Sequence, residues 1–182
     1  MERFVAFLRG INVGGRTIVK EKLKEIFNSM GFHNVSTFNQ SGNVIFETEI
    51  VNPKEIEDKI KANLCKLLGY EVSVFIRSFP QLKSIIEQDE FKGQDKEGTS
   101  FLVTFLTTAQ ANFLLQLPLT IPKSTVLVIS TKETEVFSVT HGGGEGALPN
   151  PFLESKLKVK ATTRNINTIR EIVEKYDLTM KN

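Results

Sequence analysis

The sequence of 182 residues contains a single cysteine, no tryptophan and two histidines. Cys65 has no second cysteine to pair with, so an internal disulfide is excluded and a reducing compartment is indicated; we expect a buried core thiol. His33 and His141 are too few for a usual histidine metal cluster, and we expect neither a metal nor a cofactor. No apolar run reaches the length of a membrane span, and the amino terminus shows no targeting signal. These absences predict a soluble, cytoplasmic protein.

The chain also has little excess charge of either sign. It carries 23 Lys and Arg against 21 Asp and Glu, a net charge of +2, and neither half is strongly basic. Charge alone therefore gives no argument for nucleic-acid binding. With 40% hydrophobic and 24% charged residues, the chain can bury a proper core and is not disordered.

The first half of the chain follows the order strand, helix, strand, strand, helix, strand. The predicted strands are Phe4–Leu8, Val35–Phe38, Val44–Thr48 and Val72–Ile76. The first helix is predicted to turn Leu23, Ile26, Phe27 and Met30 inward and to stop at Gly31. The second is predicted to begin after the cap Asn52, to end at Gly69, and to turn Ile56, Ile60, Leu64 and Leu67 inward. This order is the ferredoxin-like β-α-β-β-α-β pattern. Two right-handed crossovers would place strands one and three side by side and antiparallel at the centre of the sheet, and their continuous apolar runs predict that both sheet faces are covered.

The second half is predicted as a degenerate α/β half packed against the first, so that residues 1–77 and 78–182 form the two parts of an α+β fold. The predicted elements are a helix over 79–89, a strand over 99–106, a short helix over 109–117, a hairpin of strands 126–130 and 135–140, a flexible loop over 141–146, a helical turn from Asn150, and a last helix over 164–176 with Thr163 as its N-cap. This order echoes the first half and suggests a divergent repeat.

The most informative segment is the glycine-rich turn from Arg9 to Arg16, between the first strand and the first helix. Gly10, Gly14 and Gly15 free the backbone to turn tightly and to present N–H groups. Strand, glycine-rich turn and helix is an arrangement that often holds an anion. The segment lacks the Gly-Lys-Ser/Thr end of a P-loop, and the second glycine of the dinucleotide fingerprint would fall at Asn12.

The predicted topology brings other loops to the same edge of the sheet. The turn of residues 39–43, which contains Ser41 and Asn43, should lie beside the end of the first strand, and the turn of residues 68–70 should lie near both. The alternative interpretation is structural: Ser41 and Gly42 also suit an ordinary hairpin turn, and the glycines also suit entry into a helix.

Three separated segments resemble a known family. Residues 7–15 (FLRGINVGG), 41–46 (SGNVIF) and 161–168 (ATTRNINT) are similar to the signature segments of the bacterial family DUF1697, domain of unknown function 1697. That family often has tryptophan where this chain has Ile166. The resemblance implies a two-part α+β fold and no particular activity. It adds the segment of residues 163–165, which we place at the start of the last helix, where an arginine would favour an anion.

Three functions are compatible with these patterns, and the sequence leaves open whether the protein is an enzyme. The favoured hypothesis is a pocket for a small anionic or phosphorylated ligand, formed by Arg9, Gly10, Asn12, Gly14, Gly15, Ser41, Asn43, Thr163, Arg164 and Asn165. No catalytic Ser–His–Asp set is legible, and His141 beside a glycine run is the better acid–base candidate of the two histidines.

The second hypothesis is an RNA-binding module, since the RNA recognition motif has the same element order. It is disfavoured because the strand-three positions Asn43 and Ile45 offer no aromatic ring for base stacking. Binding through the basic residues between Lys156 and Arg170 is its other form, although such a run is usually a solvated face. The third hypothesis is a structural or interaction protein, monomeric or a homodimer formed through a free sheet edge.

Overall fold

The structure is a computed structural model that describes residues 1–12, 14–15, 17–39, 42–94, 97–107, 116–141 and 148–177. It is a mixed α/β fold, and its described residues form two antiparallel sheets and five helices. The chain divides into two compact units, Met1–Lys83 with Lys175–Asn182, and Ser84–Glu174. The predicted helix over 109–117 and the predicted loop over 141–146 lie outside the described residues, apart from residues 116, 117 and 141. No helix in the described ranges combines the length and the apolar character that crossing a bilayer requires.

The first unit contains a four-stranded sheet in which every neighbouring pair is antiparallel. Its elements are β1 (Glu2–Arg9), α1 (Lys20–Ser29), β2 (His33–Thr37), β3 (Asn43–Thr48), α2 (Pro53–Leu68) and β4 (Ser73–Ser78), and the strand order is β2-β3-β1-β4. Strands β1 and β3 therefore lie side by side and antiparallel at the centre, as the two crossovers predict, with Phe4 opposite Phe46. The ends of α2 also agree with the sequence. Asn52 accepts a hydrogen bond from the N–H of Lys54 at 2.9 Å, and Gly69 ends the helix in the left-handed region.

The helices of the first unit bury one apolar stripe each against the sheet. In α2, Ile56, Ile60 and Leu64 are fully buried and pack with Phe4, Phe46 and the inner residues of α1. Two predictions about this helix are wrong: Leu67 is 54% exposed, and Cys65 is an exposed thiol rather than a core residue. The reason is helical spacing, because the stripe advances in steps of four from Ile56 to Leu64 and continues at Leu68, which packs against the core.

The opposite face of the first sheet is buried as well. Val5, Phe7, Ile45 and Phe75 all have almost no exposed surface. Because alternate residues of a strand point to opposite faces, the continuous burial of Phe4–Leu8 means that both faces are shielded from solvent. The consecutive apolar residues of the first strand predict this correctly.

The second unit is built around a five-stranded antiparallel sheet. After α3 (Phe79–Glu87), the elements are β5 (Thr99–Leu106), β6 (Leu119–Thr120), β7 (Val126–Lys132), β8 (Glu135–His141), α4 (Asn150–Leu157), β9 (Ala161–Asn165) and α5 (Ile166–Tyr176). The strand order is β6-β7-β8-β5-β9. One core cluster of this unit contains Leu106, Ile121, Val126, Val128, Val136, Leu153 and Ala161.

The segment before α5 is the main correction to the predicted elements. Residues 161–165 form strand β9, paired with β5, so Thr163 lies within a strand opposite Thr104 and is not an N-cap. Helix α5 begins at Ile166, and Asn165 accepts a hydrogen bond from the N–H of Asn167 at 2.9 Å. The β-branched pair Thr162-Thr163 favours a strand, and after Asn165 the chain enters α5 directly, without a loop.

Candidate functional site

The end of β1 is where the glycine-rich turn begins. Arg9 is the last residue of this strand, is half-buried, and lies opposite Ser73 of β4. Gly10 follows with a φ of +82°, a conformation that residues with a Cβ rarely adopt. Among the described residues, a Cβ at Gly10 would meet only the carbonyl oxygen of Glu71, at 4.0 Å. The backbone conformation, rather than lack of space, therefore requires glycine here.

The glycine-rich turn of residues 9–16, called the glycine loop below, is closed by the side chain of Asn12. The Asn12 side-chain oxygen accepts a hydrogen bond of 2.9 Å from the N–H of Ile18. Between these residues, Gly14 and Gly15 are exposed and have φ values of +62° and +78°. A Cβ at either position would meet no atom of the described residues within 4 Å. Val13 and the predicted flanking residue Arg16 lie outside the described residues.

Helix α1 starts just after this loop and has no side-chain cap. Its N-cap residue is Val19, whose apolar side chain cannot accept the first-turn N–H groups. Val19 is also 60% exposed. The first-turn N–H groups and the positive end of the helix dipole favour a negative group at this position. Glu21 occupies the same turn and is the one acidic residue there.

The β2–β3 hairpin meets the end of β1, as predicted. The N–H of Leu8 donates to the carbonyl of Gly42 at 2.8 Å. Asn43 is buried opposite Phe7, and its amide nitrogen donates to the carbonyl of Phe38 at 3.1 Å, which closes the hairpin. The predicted ligand residue Ser41 lies outside the described residues.

The turn between α2 and β4 also reaches the glycine loop. The hydroxyl of Tyr70 donates to the carbonyl of Ile11 at 2.8 Å, across 59 residues of sequence. Among the described residues, this bond confirms that the turn of residues 68–70 meets the glycine loop, and the bond from Leu8 to Gly42 confirms that the hairpin turn lies at the end of β1. The role of the Tyr70 hydroxyl is missed at the sequence level. A tyrosine directly after a helix-ending glycine is its only signal.

Residues 163–165 belong to the second unit. Thr163 is buried, its hydroxyl donates to the side-chain oxygen of Asn150, and it lies 2.7 Å from the hydroxyl of Thr104. Asn165 caps α5. Both side chains thus have structural partners within their own unit. Their predicted meeting with the glycine loop stays a prediction.

Arg164 lies between these two residues and is half-buried. One of its terminal nitrogens donates to the hydroxyl of Thr162 and to the carbonyl of Thr163, both at 2.8 Å. Burial disfavours the charged guanidinium and lowers the pKa of Arg164 to about 10. The side chain therefore keeps its positive charge at neutral pH in a poorly hydrated setting, where it attracts an anion more strongly than an exposed arginine does.

The histidines and the basic run of residues 156–160 have fewer features of a binding site. His141 ends β8, and its Nδ1 atom lies 3.0 Å from the hydroxyl of Thr99; His33 is exposed at the start of β2. Lys156, Lys158 and Lys160 are all exposed, as expected for a solvated basic face. Within the described ranges, no group of three or more His, Cys, Asp or Glu side chains could hold a metal ion.

A second polar cluster in the first unit is missed entirely by the sequence patterns. A cavity of about 220 Å³ is lined by Met1, Arg3, Glu47, Phe79, Pro80, Lys83, Tyr176 and Asp177. Arg3 pairs with Glu47, and Lys83 lies 2.5 Å from the carboxylate of Asp177. Arg3 also donates to the carbonyl of Tyr176. The bond from Arg3 to Tyr176 joins the start of β1 to the end of α5, and the two ion pairs join β1 to β3 and α3 to Asp177, so we interpret the cluster as structural.

Comparison with known proteins places the chain in a family. The family described as "Protein of unknown function (DUF1697)" matches residues 1–136, which is most of the chain. The chain belongs to the DUF1697 family. The matched region includes the glycine loop and the β2–β3 hairpin, whereas residues 163–165 lie beyond it.

A solved structure is similar to this DUF1697 protein over its whole length. It is a conserved bacterial protein, SP0830, from Streptococcus pneumoniae, with a TM-score of 0.70 and 18% sequence identity; the match covers 100% of this chain and 99% of that one. At this identity the likeness shows a shared fold. No curated protein matches the chain.

Proposed function

We propose that this DUF1697 protein binds a small anionic or phosphorylated ligand at the glycine loop of its first unit. The observation that carries the proposal is the meeting of three loops at one edge of the sheet, through the hydrogen bonds from Leu8 to Gly42 and from Tyr70 to Ile11. Exposed glycines with positive φ lie at the tip of this cluster, beside a helix start that has no side-chain cap. Glycine-rich turns and uncapped helix starts favour anions, because their N–H groups are available as donors.

The residues of the site have distinct proposed roles. Arg9 supplies positive charge at the end of β1, and the N–H groups of Gly14 and Gly15 are hydrogen-bond donors. Gly10 and Asn12 shape the loop, and Asn43 with Ser41 supplies the hairpin wall. Whether the bound molecule is then transformed is a separate question, for which no catalytic group is proposed.

Titration with inorganic phosphate at constant ionic strength, followed by amide NMR, tests this proposal. We expect the Gly14 and Gly15 amide signals to shift saturably, and Arg9→Ala to weaken binding about tenfold or more, because a charge-assisted hydrogen bond is lost. Arg170→Ala is the matched control, since it removes an exposed arginine of α5. Glu21→Gln should strengthen binding, because Glu21 repels an anion at the start of α1.

One result would count against the site, and another against the proposed role of Arg9. The first is no saturable shift of the glycine amides in the unsubstituted protein. The second is a loss of stability of about 2–4 kcal/mol for Arg9→Ala with unchanged phosphate binding, because it would make Arg9 a structural residue. A ligand site and a structural role for Arg9 are thereby separated by one pair of measurements.

RNA binding in the manner of the RNA recognition motif is disfavoured by burial. That mode stacks bases on an open sheet, whereas Val5, Phe7 and Ile45 of this sheet are buried. Retention on heparin with a steep salt dependence would instead support binding through the exposed lysines of residues 156–160.

We also propose an evolutionary reading of the two units. Strand order and connectivity support a ferredoxin-like module in the first unit, and β7-β8-β5-β9 follow one another in space as β2-β3-β1-β4 do. This correspondence supports a divergent repeat in which β5 is the counterpart of β1. The absence of a second cysteine supports a cytoplasmic location.

A further inference from the structure

The Tyr70 side chain joins the glycine loop to the junction between α2 and β4. Tyr70 follows Gly69, which ends the 16-residue helix α2, and precedes β4. Its ring is half-buried and packs against the hydrophobic core. Its position is therefore set by a helix end, a strand start and core packing together. The hydroxyl at the end of this fixed ring donates to the carbonyl of Ile11.

Ile11 is held at two points, and the exposed part of the loop begins immediately after it. Its side chain is 4% exposed, and its carbonyl accepts the bond from Tyr70. One residue later, Asn12 accepts the N–H of Ile18 and closes the loop before α1. The two hydrogen bonds thus fix the beginning and the closure of a loop whose glycines, Gly14 and Gly15, are exposed.

We propose that Tyr70 is a positioning residue of the anion site: its hydroxyl holds the loop in the conformation that presents the glycine N–H groups and the start of α1 to one ligand. This inference rests on the proposed function. The physical reason is preorganisation. A loop that is already ordered loses less conformational entropy on binding, so the ligand keeps more of its interaction energy. Without the hydroxyl, the Ile11 carbonyl loses this donor and the loop samples more conformations.

The chain provides an unusually clean control, because it has only two tyrosines. Tyr176 packs its ring edge-on against Phe38, with 6.3 Å between centroids, and its main-chain carbonyl accepts from Arg3. Neither contact uses the Tyr176 hydroxyl. Tyr70→Phe and Tyr176→Phe therefore remove the same atom from two half-buried rings, and only the first removes the bond to the loop.

The experiment is a titration with inorganic phosphate of the unsubstituted protein and the two variants, followed by amide NMR and by the ring signals of ¹³C-labelled tyrosine. Each variant assigns one ring signal by its loss. We expect Tyr176→Phe to bind as the unsubstituted protein does and Tyr70→Phe to bind about three- to tenfold more weakly. The Tyr70 ring signal should shift on saturation, and the Tyr176 signal should stay in place.

Equal phosphate affinity in both variants, with no shift of the Tyr70 ring signal, would overturn the positioning role and leave the anion site standing. No binding to the unsubstituted protein would overturn the site and this inference together. A dispersed amide spectrum of Tyr70→Phe establishes that the variant is folded, so a weaker affinity cannot be assigned to unfolding.

Discussion

Arg3 and Glu47 face each other in neighbouring strands, and their side chains form an ion pair within the first unit. They are register partners in β1 and β3, and Arg3 Nε donates to Glu47 Oε1 at 3.0 Å. Asn34 donates to the second carboxylate oxygen at 2.6 Å. The Glu47 side chain is only 13% exposed. This carboxylate thus ties the three strands β1, β2 and β3 together at the end of the sheet opposite the glycine loop.

Glu47→Gln is expected to lower the free energy of unfolding by about 1–3 kcal/mol at pH 7, because it weakens hydrogen bonds from Arg3 and Asn34 to a largely buried acceptor. Urea denaturation measures the change. Glu25→Gln is the control, since the Glu25 side chain is 67% exposed and its loss should change stability by less than about 0.5 kcal/mol. A cost no larger than that of the control would show that the pair contributes nothing to stability.

The cost of Glu47→Gln should depend on pH in a defined direction. Burial opposes ionisation of Glu47, but the hydrogen bonds from Asn34 and Arg3 outweigh it and lower its pKa below the ordinary value of 4.5. A carboxyl with a lowered folded-state pKa stabilises fully above its unfolded value, and this contribution is lost as the pH falls through the folded value. The difference between the two proteins should therefore shrink as the pH falls from neutral through the folded-state pKa, which lies below 4.5. An unchanged difference over this range would contradict the role of ionised Glu47.

Removal of two buried hydroxyls in the second sheet, those of Ser138 and Thr163, should have different effects on stability. Ser138 is fully buried between Leu102 and Val128, and its hydroxyl is without a hydrogen-bond partner among the residues that the structure describes. Thr163 is buried with hydrogen bonds to Thr104 and Asn150. We expect Ser138→Ala to be neutral or to stabilise by up to about 1 kcal/mol, and Thr163→Val to destabilise by about 1–3 kcal/mol. Thermal denaturation compares them, and a loss of stability on Ser138→Ala would reveal a partner for that hydroxyl.

The elements of the first unit could be predicted from the sequence because their signals are local. Asn52, Pro53 and Gly69 mark both ends of α2 through contacts made within a few residues. The centre of the sheet follows from connectivity alone. The exposure of Leu67 and Cys65 is harder to predict, since the last turn of a helix can leave the core while the apolar pattern continues.

The candidate site depends more than the helix boundaries do on contacts between residues far apart in the sequence. The proximity of the glycine loop, the hairpin and the α2–β4 turn follows from strand order. The bond from Tyr70 to Ile11 does not, because it depends on where one side chain points after the core has formed. Strand β9 is hard to predict for a related reason: its pairing with β5 is long-range, whereas Arg164–Tyr176 has a helical apolar pattern in its later part.

The junction between β9 and α5 gives a direct test of the corrected helix start. Asn165→Ala should cost about 1 kcal/mol, since the side-chain acceptor for the N–H of Asn167 is lost, whereas Asn165→Asp should keep most of the stability. Urea denaturation followed by circular dichroism measures both. Equal stability of the alanine variant and the unsubstituted protein would mean that Asn165 does not act as the cap.

The last prediction concerns Arg164, which lies in β9 of the second unit. We expect Arg164→Ala to lower the free energy of unfolding by about 1–3 kcal/mol, because the half-buried guanidinium donates hydrogen bonds to the Thr162 hydroxyl and the Thr163 carbonyl. Urea denaturation measures the change. Arg170→Ala is the exposed control, and its loss should change stability by less than about 0.5 kcal/mol. A cost no larger than that of Arg170→Ala would show that the hydrogen bonds of Arg164 within its own sheet contribute nothing to stability.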